Sequence, residues 1–321
     1  MSVVGRFAPS PTGDLHVGSA LAALAAWASA RSGGGRFLYR VEDLDGPRAV
    51  PGSVERQIED VRWIGLDWDE GPGGGGPHGP YCQSERGAIY EDALRRLAED
   101  GHLFPCRLSR KDLRELASAP HGSSGLPPYP ASLRPASLPA DWFDDETGSD
   151  AALRFRVEAG EVAFEDRVVG RVVEDVRQSV GDFVLKRRDG VYSYQLAVVV
   201  DDLAMGVTEV VRGMDLLDST ARQILLARAL GGEPPATAHV PLLVGPDGRK
   251  LSKRNEALTV RSLREAGVAP EAFVGWLAAA LGQGEARRRT PEDVAAAFDV
   301  GRIRPEPVVV PTDLADRLTA L

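Results

Sequence analysis

Two separated clusters in this sequence carry residue types suited to a nucleoside triphosphate. The first is RFAPSPTGDLHVGS, residues 6–19, set between a short apolar run at 3–7 and an Ala-rich stretch at about 16–31 that reads as a helix. A helix N-terminus leaves backbone N–H groups unpaired and carries the positive end of the helix dipole, so it stabilises a phosphate placed there. Gly18 lets the nucleotide approach the backbone. His16 can donate to an oxygen of the α-phosphate as negative charge develops there during attack. The second cluster is GPDGRKLSKRN, residues 245–255, a turn followed by Lys250 and Lys253. Two cations on a loop suit a departing pyrophosphate, since their contact can strengthen as the α–β bond breaks. Each cluster alone also fits a plainer reading: a capped surface helix with an incidental histidine, and a solvated basic turn. Their order, with strand-rich sequence between them, favours one shared site.

The elements that must position these clusters can be traced along the chain. Residues 3–7, 16–31 and 36–42 read as strand, helix and strand, the β-α-β crossover of a parallel sheet. Helices follow at 53–63 and 84–99. Between them GPGGGGPHGP, residues 71–80, has a composition that cannot pack and is expected to be a mobile surface loop. It lacks the Lys and Ser or Thr of a phosphate loop. From 101 to about 180 the character changes, with a Pro, Ser and Gly-rich stretch at 119–139 and alternating strands around 152–157 and 162–173. The sheet pattern resumes at 183–185, 192–200 and 208–212, before a helix at 219–230 and a helical segment around 271–281. The expected architecture is α/β, a parallel nucleotide-binding sheet split by an insert. Its first half spans 1–100, the insert 101–180, the second half with the lysine loop 181–260, and a short helical C-terminal region 261–321.

At 321 residues the chain can bury a full core and sits near the size at which one core divides. No run of about eighteen apolar residues occurs, and MSVVGRFAPS lacks a basic-then-apolar leader, so a soluble cytoplasmic protein with no membrane partner is expected. Cys82 and Cys106 are too few for a disulfide framework or a Cys-rich zinc site. The net charge of -9 gives no whole-molecule attraction for nucleic acid. An RNA partner would have to use local basic faces, such as residues 107–114 or 287–289.

HVGS at 16–19 and KLSK at 250–253 resemble the two signatures of class I aminoacyl-tRNA synthetases. RVEDLD at 40–45 and YSYQLAVVVDDLAMGVTEVVRGMDLL at 192–217, taken with RFAPSPTGDLHVGS, resemble the glutamyl and glutamyl-Q branch over most of residues 3–260. The resemblance implies a Rossmann-like class I synthetase core that activates L-glutamate with ATP and Mg2+. It implies that Arg6 pairs with the side-chain carboxylate, a task suited to a planar bidentate guanidinium. Ala8 and Ser10 would line the same pocket, Glu42 would meet the α-ammonium, and Tyr194 and Arg212 would complete the site. His16, Gly18, Ser19 and Lys253 would contact ATP, with His16, Lys250 and Lys253 serving the chemistry. Taken singly, Glu42 reads equally as a surface acid beside Asp43 and Asp45, Tyr194 as core, and Arg212 as a strand end in solvent.

Glutamyl-Q enzymes often carry a zinc site in the insert, built from a C-x-C pair, a Tyr and a further Cys. Here Cys106 and Tyr129 match that pattern while Leu108 and Leu133 replace two thiols. Zinc needs about four ligands, so no zinc is expected unless His102 or His121 is recruited, and Leu108 and Leu133 are expected in a small apolar core. The residues after Lys253 are also too few for the large anticodon-binding region of glutamyl-tRNA synthetases. The resemblance then implies transfer of glutamate to the queuosine base of tRNA(Asp). Three alternatives stay open: a truncated synthetase charging tRNA(Glu), a small-molecule adenylyltransferase or ligase of the same fold, and a non-catalytic RNA-binding paralogue.

Overall fold

The computed structural model describes residues 2–109, 111–112, 129–135, 137–139, 141–143, 150–158, 160–249 and 258–321. Strands β1 (Val4–Phe7) and β2 (Arg36–Tyr39) pair in parallel, Val4 opposite Arg36 and Phe7 opposite Tyr39, with helix α1 (Val17–Ser32) as the crossover. Alanine has the best helix propensity and the smallest side chain that keeps it, so α1 can be buried along most of its length. Gly5 lets it lie close to β1, since a Cβ there would stand 3.2 Å from the Ala30 Cβ.

Helices α2 (Ser53–Ile64) and α3 (Gly87–Glu99) follow. Strands β3 (Leu103–Cys106), β4 (Ala152–Phe155) and β7 (Phe183–Lys186) then form an antiparallel sheet in the order β3-β4-β7. Between β4 and β7 lie the hairpin β5 (Glu161–Asp166) and β6 (Gly170–Asp175) and the single turn α4 (Val176–Ser179). After helix α5 (Tyr194–Ala204), strand β8 (Glu209–Gly213), helix α6 (Thr220–Ala229) and strand β9 (Ala236–Val240) complete a second parallel pair. The two pairs are joined where the Thr208 amide donates to the Val4 carbonyl at 3.0 Å and the Val4 amide to Thr208 Oγ1 at 2.9 Å. The parallel strands thus run β2, β1, β8, β9. β5 adds to β9 with Asp166 opposite Thr237, so the hairpin that begins in the insert ends on the nucleotide-binding sheet. Strand β10 (Leu243–Val244), helices α7 (Val260–Glu265), α8 (Pro270–Ala280) and α9 (Pro291–Ala295), strand β11 (Val308–Val309) and helix α10 (Leu314–Thr319) close the fold, β11 returning to pair with β10.

Two expectations are corrected. Residues 192–200 look like strand, with Val198, Val199 and Val200 in a row, yet they enter α5. Ser193 caps that helix, accepting from the Leu196 amide at 3.3 Å, and everything from Leu196 to Asp202 is buried. A helix enclosed on all sides shows no polar face to mark its period. The glycine-rich residues 71–80 are a surface loop, as expected, with 73–77, 79 and 80 exposed, but their composition does not keep the segment from making fixed contacts. Glu70 takes the Tyr81 hydroxyl at 2.9 Å and His78 Nδ1 at 2.7 Å, and Trp68 donates to the Pro72 carbonyl at 3.3 Å. The glycines are needed for that closeness: at Gly76, φ is 129° and a Cβ would meet the Tyr81 hydroxyl at 2.3 Å. Among the described residues no helix is long and apolar enough to cross a membrane.

Candidate active site

Helix α5 carries Asp201 and Asp202 in its last turn. Acids in a last turn oppose the helix dipole, and burial adds a desolvation cost, so this sequence folds only with cations close by. Asp201 accepts from Arg86 Nε at 2.6 Å, Gln83 Nε2 at 2.8 Å and the Tyr90 hydroxyl at 3.0 Å. Asp202 accepts from Arg40 Nη1 at 2.7 Å and faces Arg6 Nε at 3.6 Å. Arg40 has no exposed surface; burial works against its charge, but Asp202, Asp201 and Glu42 outweigh burial and hold its pKa above the ordinary range.

Arg6 and Arg212 sit near the C-terminal ends of the adjacent strands β1 and β8, the edge at which parallel sheets bind ligands. Glu42 arrives from the chain after β2, where the Arg40 amide donates to the Phe7 carbonyl and the Glu42 amide to the Pro9 carbonyl, each at 3.0 Å. That pairing carries Ala8 and Ser10 alongside Glu42. Burial pushes the Glu42 carboxyl up to about 7, against the pull of Arg40 and Arg6. Burial and then Glu42 raise the Tyr194 hydroxyl, which lies beside Arg212. Every nitrogen of Arg212 is engaged: Nε donates to His239 Nε2 at 3.0 Å, Nη1 to Gln223 Oε1 at 2.7 Å and Nη2 to Thr220 Oγ1 at 2.8 Å. Arg6 differs, since its buried Nε has no hydrogen-bond acceptor among the described residues. The small cavity behind Arg212, lined by Asp202, Thr220 and Gln223, measures ≈ 30 Å³. It has room for a water or two, not for an amino acid.

The second half of the site is the start of α1. His16 occupies its N-cap position without capping it through the side chain, and the first turn holds no acid that would repel an anion. Among the described residues, a Cβ added at Gly18 would meet nothing within 4 Å, so none of them blocks the backbone there. The loop before it is clamped by α2: Ser53 Oγ donates to the Pro11 carbonyl at 2.7 Å and Gln57 Nε2 to the Gly13 carbonyl at 2.7 Å. Lys250 and Lys253 lie outside the described residues. The chain that follows them returns to this spot, with the Val260 amide on the Leu15 carbonyl at 2.8 Å and the Val17 amide on the Leu258 carbonyl at 3.3 Å.

At the insert, Cys106 and Tyr129 join Phe104 and Leu108 in one apolar cluster, with the Phe104 and Tyr129 rings 5.3 Å apart. The Tyr129 hydroxyl donates to the Leu133 carbonyl at 3.1 Å and also lies in hydrogen-bond contact with the Cys106 thiol. The Leu133 side chain is exposed, which corrects its expected place in this core. His102 stacks on Phe155 instead, and His121 lies outside the described residues. Among the described residues, Cys106 and Tyr129 are too few donors for a zinc ion.

Several residues of the site carry little or no mark in the sequence. Asp201 and Asp202, adjacent acids closing an apolar run, are a usable signal, as is Arg40 between Tyr39 and Val41. His239 and Asp166 are not, because nothing local marks a buried pair contributed by β9 and an insert hairpin.

An α/β core with an acid-and-arginine pocket at the C-terminal edge of its parallel strands, beside an open helix N-terminus, is the architecture of a nucleotide-dependent activating enzyme. A family profile described as tRNA synthetases class I (E and Q), catalytic domain, matches residues 2–290, and the chain belongs to that family. It is 52% identical over 313 residues to a glutamyl-Q tRNA(Asp) synthetase of Symbiobacterium thermophilum, covering 96% of each chain. It is 46% identical to a protein of the same name from Nitratidesulfovibrio vulgaris, over 98% of this chain and 97% of the other. A solved glutamate tRNA ligase of Elizabethkingia meningosepticum, in complex with its amino acid, superposes with a TM-score of 0.86 at 29% identity, over 99% of this chain and 69% of that one.

Proposed function

We propose that this chain activates L-glutamate with ATP, supplied as its magnesium complex, and transfers the glutamyl group to the queuosine base of tRNA(Asp) in the cytoplasm. A glutamate carboxylate oxygen attacks the α-phosphorus as the bond to pyrophosphate breaks. A hydroxyl of queuosine then attacks the carbonyl of the mixed anhydride, and AMP leaves.

The observation that carries the reading is the convergence of Arg6, Glu42, Tyr194 and Arg212 in one buried electrostatic field. Glutamate brings two carboxylates and one ammonium, and this pocket offers guanidinium groups together with the carboxylates of Glu42 and Asp202. Arg6, with its unfilled Nε, takes the side-chain carboxylate, Glu42 the ammonium, and Tyr194 and Arg212 complete the cradle beside Ala8 and Ser10. His16, Gly18 and Ser19 receive the ATP phosphates at the α1 N-terminus, and Lys250 and Lys253 take the leaving pyrophosphate. No protein nucleophile is needed; the work is orientation and charge stabilisation. Support for the acceptor comes from relatives of matching length that carry the glutamyl-Q name. The fold similarity to a glutamate tRNA ligase favours a second reading in which tRNA(Glu) is the acceptor.

Glutamate-dependent exchange of label between ATP and pyrophosphate tests the first step. Lys253→Ala should nearly abolish it, since a missing preorganised charge at the leaving group costs about 2.7 to 4 kcal/mol. Arg6→Ala should raise the KM for glutamate more than that for ATP. Exchange at the parental rate in the lysine variant, or equal changes in both KM values in the arginine variant, would contradict these roles.

A further inference from the structure

Arg212 is reached from the insert hairpin by a chain of buried side chains. Asp166, at the end of β5, accepts from the amides of Val168 and Val169 at 3.1 Å each and of His239 at 3.2 Å, and its Oδ2 lies 2.6 Å from His239 Nδ1. Burial pushes the Asp166 carboxyl up, but the His239 bond and the Val169 and Val168 amides outweigh it and hold the group at about 2. An ionised carboxylate only accepts, so the ring proton sits on His239 Nδ1. His239 Nε2 is then a bare acceptor, and Arg212 Nε, which can only donate, fills it. Carboxylate on one side and guanidinium on the other fix one tautomer of a neutral ring. A second ring proton would set N–H against N–H and charge against charge.

We propose that His239, locked by Asp166, is a positioning residue that aims the Arg212 guanidinium at glutamate; this rests on the reading of Arg212 as a glutamate-site residue. Thr220 and Gln223 hold the two terminal nitrogens of Arg212, and the His239 ring holds the third, fixing the plane of the fork. A fork whose plane is set in advance loses less freedom when a carboxylate docks. The amino-acid site therefore depends on a residue of the hairpin that leaves the insert.

The charged and polar groups facing His239 are Asp166 from β5, Arg212 from β8, Arg6 from β1 and the Thr220 hydroxyl, 3.4 Å from Nε2. Burial first, and Arg212 and Arg6 with it, lower the pKa of the ring below the ordinary 6.5, against the pull of Asp166. Glu42 titrates separately, at about 7. The KM for glutamate in the parent should therefore rise in two steps as pH falls, the lower step belonging to His239.

The test measures KM for glutamate and for ATP in pyrophosphate exchange as pH is lowered from about 8.5 through the Glu42 step near 7 and on below 6.5. His239→Asn reaches only to the Nδ1 position and strands Arg212 Nε, so glutamate KM should rise about tenfold with ATP KM unchanged. His239→Gln places a non-titrating acceptor near Nε2, so it should recover most of that loss and lack the lower acid step. Equal movement of both KM values in His239→Asn, or no movement of either, overturns the proposal. Arg212→Lys separates the levels: if it leaves glutamate KM alone, the reading of Arg212 fails and the inference falls with it. Should the asparagine variant not fold, ring 15N shifts of the parent decide. A neutral Nδ1–H ring persisting below pH 6.5 supports the proposal. An Nε2–H tautomer, or protonation at or above 6.5, overturns it.

Discussion

The pocket around Arg40 and the insert cluster around Tyr129 are built from opposite materials. In the pocket, Arg6, Arg40, Asp201, Asp202 and Arg212 are each no more than 5% exposed, and each is tolerable only because the others are present. At the insert, Phe104, Cys106, Leu108 and Tyr129 gain from burial one by one, and a lone hydroxyl and a thiol settle on backbone carbonyls. The first construction is all-or-none and fixes charges before a ligand arrives. The second tolerates exchange, which is why Leu108 can stand where the family resemblance puts a thiol. The proposed chemistry is concentrated where substitution is least forgiving.

The sharpest way to break this contrast is Arg40→Leu. It leaves Asp201 and Asp202 short of their shared cation, and the loss of one partner from a buried charge network costs about 3 to 5 kcal/mol. Urea unfolding should show that loss; a change below about 1 kcal/mol would mean that Arg86 and Arg6 already suffice.

A smaller effect is expected at Glu42. Its carboxyl is raised to about 7, so as pH falls through that value it becomes neutral and stops attracting an ammonium. Glutamate KM should rise on the acid side, whereas Glu42→Gln should start high, by about tenfold near pH 8, and show no step near 7. A variant that keeps the step would assign it elsewhere.

The smallest effect belongs to the insert. Tyr129→Phe removes one bond to the Leu133 carbonyl and should cost about 0.5 to 1.5 kcal/mol while leaving exchange unchanged. Metal analysis of the untagged parent should find well below one zinc per chain. Stoichiometric zinc surviving dialysis would mean that other ligands close a site there.

Much of this architecture is legible in the amino-acid sequence. The α1 crossover follows from an Ala-rich run between two apolar strands, and the residues matched to the family pattern, Arg6, Glu42, Tyr194 and Arg212, do come together. What stays hidden are the partners that hold them. Asp201 and Asp202 stand out only as adjacent acids closing an apolar run, with nothing to name their cations, and α5 itself passes for a strand because Leu196 to Asp202 are all enclosed. Glycine-rich composition marks 71–80 correctly as surface loop and misleads only on contacts, since the absence of side chains lets Gly76 lie close to Glu70 and Tyr81. His239 depends on a pairing between β5 and β9 that is remote in sequence, and such pairings leave no local trace.

The central claim is that glutamate activated in this pocket goes to a base in an anticodon. Purified tRNA(Asp) with and without queuosine, and tRNA(Glu), should each be incubated with the protein, ATP, magnesium and labelled glutamate, and the labelled nucleotide then identified. The expected result is label on queuosine of tRNA(Asp) alone, and none on the unmodified tRNA or on tRNA(Glu). Label on the terminal adenosine of tRNA(Glu) would contradict that claim and make the chain a compact glutamyl-tRNA synthetase instead.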